Sequence, residues 1–146
     1  MRRVLVTGAG SGLGHSIAQV FAARGDQVLA TVRDAARAEA LTAETEGVTY
    51  LPLELTDEAS RETLIEEVGE IDVLVNNAGY GIYGAIEEVD HERAAAQFEV
   101  NVTAPLALTR GLLPGLRARS GMVIFIGSLG GRFARAKGLS EFTVLS

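Results

Sequence analysis

Five short, nearly continuous apolar runs alternate with longer stretches of helical periodicity, and this alternation restricts the fold more than any other feature. The runs are Val4-Leu5-Val6, Gln27 to Val32, Val48 to Leu51, Ile71 to Val75 and Met122 to Ile126. After the first, Ile17, Val20 and Phe21 share one helical face, and Gly25 closes the helix. The alanine-rich stretch from Asp34 to Glu44 predicts a second helix with Asp34 as N-cap. A third starts at Thr56 or Asp57 and carries Leu64, Ile65 and Val68. Between the fourth and fifth runs, two helical stretches part near Asn101 to Pro105. Strands that are apolar on both faces and alternate with helices require a parallel sheet covered on both sides. Right-handed crossovers then make it doubly wound. The expectation is a Rossmann-type α/β fold of three α/β/α layers and about five strands, with residues 1–146 forming one domain.

Composition removes several classes of function. Thirteen basic against 19 acidic residues leave a net charge of −6, so no global basic field exists to hold nucleic acid or an anionic membrane. Zero cysteines exclude disulfides, thiolate zinc sites, iron–sulfur clusters and cysteine nucleophiles. With His15 and His91 as the two histidines, ligands for a histidine-built metal centre are too few. The first apolar run stops at Thr7-Gly8, short of the roughly 7–15 apolar residues of a secretory segment and of the about 20 that span a membrane. A cytoplasmic protein with neither nucleic-acid nor membrane partners is the expectation.

Thr7-Gly8-Ala9-Gly10-Ser11-Gly12-Leu13-Gly14 joins the first strand to the first helix. Glycine lets the backbone take positive φ and approach a ligand with no Cβ in the way. The helix beyond presents unpaired N–H groups and a positive dipole end, which suit a pyrophosphate. A P-loop is excluded, because Leu13 stands five residues after Gly8 and the sole lysine is Lys137. Gly-x-Gly-x-x-Gly fails as well: Leu13 or His15 occupies the third glycine's place, depending on the start. The spacing that fits is Thr-Gly-x-x-x-Gly-x-Gly, through Thr7, Gly8, Gly12 and Gly14. In a doubly wound sheet ligands sit beyond the carboxyl ends of the strands, where the winding reverses. If the first and fourth strands are neighbours there, this loop and the turn Asn76-Asn77-Ala78-Gly79 share a crevice.

Those two loops, an Asn101 between helical stretches and Ile126-Gly127-Ser128 ending a strand occur in the order and on the elements of a known family. From Arg3 to about Gly131 the chain resembles the classical short-chain dehydrogenase/reductases. The resemblance implies an NAD(P)-dependent oxidoreductase that moves hydride between nicotinamide and a small-molecule carbonyl or secondary alcohol. It also implies cofactor contacts from Thr7, Gly8, Ser11, Gly12, Leu13, Gly14, Arg33, Glu54, Leu55, Asn77, Ala78 and Gly79. The acid that takes the ribose hydroxyls of NAD belongs about 20 positions past the glycines. Val32 stands there, and Arg33 follows. Arginine offers a planar fork of donors to a 2′-phosphate, so NADP is favoured over NAD. The alternative is a solvated Arg33 with Asp34 on the ribose. Glu54 stands where the family places an aspartate near the adenine, and Asp57 is read as the cap of the next helix.

The resemblance further implies a serine on the substrate carbonyl, an asparagine in a water relay, and a tyrosine–lysine pair four residues apart that passes the proton. Ser128 and Asn101 match the first two, although Ser128 could end its strand and Asn101 could cap a helix beginning near Thr103. The tyrosines are Tyr50, Tyr80 and Tyr83, and none follows Ser128. Gly138 to Phe142 resembles the run leading into the catalytic tyrosine, with Phe142 in its place and Ser146 in the lysine's. Phenylalanine has no hydroxyl to give a proton. Lys137 lies four past Phe133, too close to Ser128 and again without a hydroxyl. By this measure the chain is cut short before the Tyr-x-x-x-Lys helix is complete. Homo-oligomerisation stays open, because that helix takes part in pairing. A dinucleotide-binding module without turnover and an inactive fragment are the competing readings. Elsewhere the plain readings are preferred. His15 is a neutral surface residue, Tyr80 to Gly84 an ordinary turn, and Arg132 and Arg135 are solvated. Glu87, Glu88 and Glu92 form a helix's solvent face.

Overall fold

In the first strand, β1 (Arg3–Val6), Val4 and Val6 face one side of the sheet and Leu5 the other, and all three are fully buried. Period-two alternation with apolar residues on both faces leaves water no side to occupy. The computed structural model describes residues 1–82 and 87–128. Their order is β1, α1 (Gly12–Ala23), β2 (Gln27–Val32), α2 (Ala35–Glu44), β3 (Val48–Pro52), α3 (Glu58–Val68), β4 (Val73–Asn76), α4 (His91–Phe98), a π-helical turn (Glu99–Thr103), α5 (Ala104–Ala118) and β5 (Met122–Phe125). The strands lie in the order β3-β2-β1-β4-β5, every pairing parallel. This is the expected doubly wound, Rossmann-type arrangement, and the winding reverses between β1 and β4.

One core joins Val4, Val6, Val28, Ala30, Val73 and Val75 to Ala18 of α1 and Leu41 of α2. The opposite core joins Leu5, Leu29 and Leu74 to Leu64 and Val68 of α3 and to Leu108, Leu112 and Leu116 of α5. Asp34, Asp57 and Asp90 begin α2, α3 and α4 by accepting from the N–H groups of Arg37, Ser60 and Arg93 at 2.7, 3.1 and 2.8 Å. Two expectations need correction. Val20 is 52% exposed, and Ala18 with the half-buried Ile17 and Phe21 makes the inward face of α1. The helical stretches also do not part at Asn101 to Pro105; they run on from His91 to Ala118 through the π-helical turn. Pro105 lacks the N–H that an α-helix would direct at the Asn101 carbonyl, and a wider register accommodates that loss. Among the described residues no helix is long and apolar enough to cross a membrane.

The amino ends of the strands are tied by Asp72. Its carboxylate accepts from the Arg3 N–H at 2.6 Å and from Arg119 Nε at 2.8 Å, joining the starts of β1 and β4 to the end of α5. The Arg119 guanidinium and the Arg3 amide hold the Asp72 carboxyl below the usual carboxylate range, as Arg2 does for Asp26. A carboxylate depressed in the folded state contributes stability above its unfolded pKa and loses it as pH falls through the folded value. Unfolding followed from pH 6 to 2 should therefore show the melting temperature falling as pH drops below about 4. Asp72→Asn should flatten that fall; an unchanged acid limb would remove Asp72 from its cause.

Candidate functional site

Thr7, directly after β1, is 1% exposed and uses its hydroxyl to the full. A hydroxyl has one hydrogen and two lone pairs. The Thr7 hydroxyl donates to the Val75 carbonyl at 3.4 Å and accepts from the N–H groups of Asn77 and Ala78, both at 3.1 Å. In return, Asn77 Nδ2 donates to the carbonyls of Thr7 and Gly8, each at 3.0 Å. The glycine loop and the Asn76–Gly79 turn are thus bonded into one unit at the reversal of winding, as two neighbouring strands there would require.

Space in this unit sets residue type. Gly8 has φ +65°, and a Cβ on it would lie 2.7 Å from the Ala78 Cα. A Cβ on Gly14 would collide with the Asn77 carboxamide and stand 2.6 Å from the Gly8 carbonyl oxygen. Gly12 differs: its φ is +56° and nothing lies within 4 Å of its Cβ position. Gly8 and Gly14 are therefore demanded by the protein's own packing, whereas Gly12 opens onto space. Ser11 precedes α1 as its N-cap with an exposed side chain that makes no cap hydrogen bond. The first N–H groups of α1 have no intrahelical acceptors, so they remain available to an anion.

A cleft of about 740 Å³ lies over these residues. Ten of the residues implicated by resemblance line it: Gly8, Ser11, Leu13, Gly14, Arg33, Glu54, Leu55, Asn77, Ala78 and Gly79. Thr7 lies beneath as a brace, and Gly12 is exposed at the loop but does not line the cleft. Val32 is 9% exposed and packs under Gly10, whose Cβ would come 2.9 Å from Val32 Cγ1. Arg33 is exposed at the cleft, with no hydrogen-bond or ion-pair partner among the described residues. Asp34, by contrast, is spent on capping α2. Glu54 accepts from the Thr56 hydroxyl at 2.9 Å, and its N–H donates to the Ser60 hydroxyl at 3.0 Å. Nothing here gathers three or more metal-ligating side chains among the described residues.

Asn101 is not a helix cap. It lies inside the π-helical turn, 9% exposed, and its carboxamide grips one residue twice. Oδ1 accepts from the Tyr80 N–H at 3.0 Å, and Nδ2 donates to the Tyr80 carbonyl at 2.9 Å. Gln97 Nε2 donates to the same carbonyl at 2.9 Å. Tyr80, which lines the cleft, is therefore fixed from α4 and the π-helical turn, a role for Gln97 that sequence reading missed. Its signal was a polar residue one turn before Asn101, which a helix places on the same side. His15 is also not a free surface residue: its Nδ1 lies 2.7 Å from the Tyr50 hydroxyl. Ser128 is exposed beyond β5, which ends at Phe125. Tyr83, Gly84, Arg132, Phe133, Arg135, Lys137, Phe142 and Ser146 lie outside the described residues.

A family model described as short chain dehydrogenase matches residues 2–140. The 2-keto-3-deoxy-L-fuconate dehydrogenase of Xanthomonas campestris pv. campestris is 37% identical over 129 residues, covering 88% of this chain and 43% of the relative. An L-xylulose reductase of Bos taurus is 34% identical over 145 residues, covering 98% and 58%. A crystal structure of a short-chain dehydrogenase from Streptomyces avermitilis superposes with TM-score 0.84 at 37% identity, covering 92% of this chain and 52% of that one. The chain spans about half the length of the curated relatives it matches.

The packing at Gly8 makes a direct prediction. Gly8→Ala combines a positive φ with a contact against backbone, and should cost about 1–3 kcal/mol. Urea unfolding measures this; a midpoint equal to that of the parent chain would show that the Ala78 turn yields freely.

Proposed function

The chain belongs to the short-chain dehydrogenase family, and from that membership we propose that it holds NADP(H) and serves hydride exchange with a small carbonyl compound or secondary alcohol. The observation that carries this reading is the pairing of open amides at the start of α1 with the Asn77 turn, both bordering one cleft. Backbone N–H groups and the helix dipole suit the diphosphate. Thr7 and Asn77 hold the loop that presents those groups. The bound nicotinamide supplies the hydride acceptor or donor. Asn101 and Gln97 keep Tyr80 against the cleft, and Ser128, after β5, is the residue proposed to bind the substrate oxygen.

The preference for NADP over NAD rests on three facts. The place of the ribose-binding acid holds Val32, buried beneath Gly10; Asp34 is committed to capping; Arg33 stands exposed at the cleft. Hydrogen bonds to charged groups contribute about 1.5–3 kcal/mol each, so Arg33→Ala should weaken NADPH roughly 10- to 100-fold and NADH little. Equal effects on the two would remove the 2′-phosphate role. The relatives' names, a keto-deoxy sugar acid dehydrogenase and a ketose reductase, support a hydroxylated carbonyl compound as substrate.

A second reading, dinucleotide binding without turnover, is favoured by Phe142, which stands at the tyrosine's place without a hydroxyl. Fluorescence titration with NADPH and NADH tests what both readings share, and no saturable signal with either would end both. Carbonyl-dependent oxidation of NADPH then separates them. Turnover that Ser128→Ala lowers supports the oxidoreductase reading, and binding without turnover supports the module.

A further inference from the structure

Tyr50 on β3 is a fixed post. Its side chain is 4% exposed within the core shared by α1 and α2, and its N–H donates to the Thr42 hydroxyl of α2 at 2.8 Å. Burial pushes the phenol above its ordinary value, so it keeps its hydrogen. The hydroxyl reaches His15 Nδ1 at 2.7 Å, and the two rings stack with centroids 6.3 Å apart and planes at 24°. His15 directly follows Gly14 in the first turn of α1, the turn proposed to hold the diphosphate.

That turn has few other restraints on its outer side. Ser11 makes no cap hydrogen bond, the first turn carries no acid, and Gly12 touches nothing at its Cβ position. The Thr7–Asn77 bonds hold the loop from the β4 side, and Thr31 of β2 holds it from the other, accepting from the Ala9 N–H at 2.8 Å and the Gly8 N–H at 3.3 Å. These contacts fix the loop and Gly14 from β4 and β2, and the His15–Tyr50 contact is the tie from the first turn to β3.

The geometry points to His15 as a positioning residue for cofactor binding. Through Tyr50 it anchors the first turn of α1 to β3, so that the amides facing the diphosphate stand ready before the nucleotide arrives. The inference rests on the nucleotide-binding reading above. Neither side chain lines the cleft, so both act through the backbone they hold. The diphosphate is common to NAD and NADP, so the tie serves both alike, unlike Arg33.

Calorimetric titration of the full chain with NAD+ and with NADP+, alongside thermal melts, tests the tie. Tyr50→Phe keeps the ring in the core and removes the hydroxyl, which also meets the Thr45 side chain, while His15→Ala removes the histidine partner alone. Each should weaken both dinucleotides about 3- to 10-fold by similar factors, on chains that still melt cooperatively. His15→Asn, whose short carboxamide can meet the phenol near the Nδ1 position, should restore most of the affinity. Loss confined to NADP+, or parental affinity in Tyr50→Phe, would overturn the proposal. So would a His15→Asn chain as weak as His15→Ala, since only ring packing would then matter. A variant-free measurement guards against unfolded mutants. With two histidines in the chain, proton NMR can follow each ring, and NAD+ should shift the His15 signals while leaving those of His91 in place. Unmoved His15 signals at saturation count against the tie. If the parent chain binds neither dinucleotide, the nucleotide-binding reading falls and this inference with it; binding with unaffected variants removes the inference alone.

Discussion

The hydroxyl of Thr7 is the interaction on which the site geometry depends. It sits where β1 ends, in the middle of a parallel sheet, and its one hydrogen and two lone pairs are all engaged with β4 and the turn beyond. Two strands that leave a sheet side by side have no inherent reason to keep their loops together. One side chain that gives acceptors to the Asn77 and Ala78 N–H groups, while adding a second donor to the Val75 carbonyl that the Thr7 N–H already pairs, supplies that reason. The Asn77 carboxamide completes the exchange from the other side. Once the two loops are joined, the remaining requirements are steric. Gly8 must be small because Ala78 is close, and Gly14 because Asn77 is close. The glycine pattern is therefore first a consequence of packing, and Gly12 is the place where the freedom it creates faces outward.

The fold was legible because its signal is repeated. Val4, Leu5 and Val6 already announce a strand buried on both faces, and four later runs say the same. The caps at Asp34 and Asp57 were legible for a similar reason, since a carboxylate three residues before an available N–H is a local rule that tertiary contacts seldom override. Strand order was not written locally. It followed from the handedness of crossovers and from two unusual loops that made sense only as neighbours.

What sequence reading missed depends on contacts between distant residues. Val20 fits the helical face as well as Ile17 does, yet no element covers it among the described residues, so periodicity alone could not exclude it. The parting expected at Asn101 to Pro105 came from helical periodicity alone. The chain answers instead by widening the helix, because Asn101 and Gln97 together secure Tyr80 and the helix must continue to hold both in register. His15 looked like a surface residue because its partner lies 35 positions away on β3. For Asn101 and His15 the residue was visible and its partner was not.

The site also divides along the chain. The groups proposed to hold the dinucleotide come from the first 79 residues, and they are bonded to one another through backbone and short side chains. Such a constellation forms with the sheet itself, since Thr7, Val32 and Asn77 lie on or next to paired strands. The proton-transfer half has a different physical demand. It needs a titratable hydroxyl held within reach of the reacting oxygen, and Phe142 cannot supply one whatever its position. Binding and chemistry are therefore separable properties in this sequence. The proposed binding rests on the geometry of the β1–β4 reversal, whereas the chemistry requires a donor that the described residues of these loops do not provide through any of their hydrogen bonds. Tyr80 is the phenol fixed beside the cleft, but Asn101 and Gln97 hold its backbone rather than its hydroxyl. What they stabilise is the cleft's wall, and holding a wall in place does not by itself move a proton.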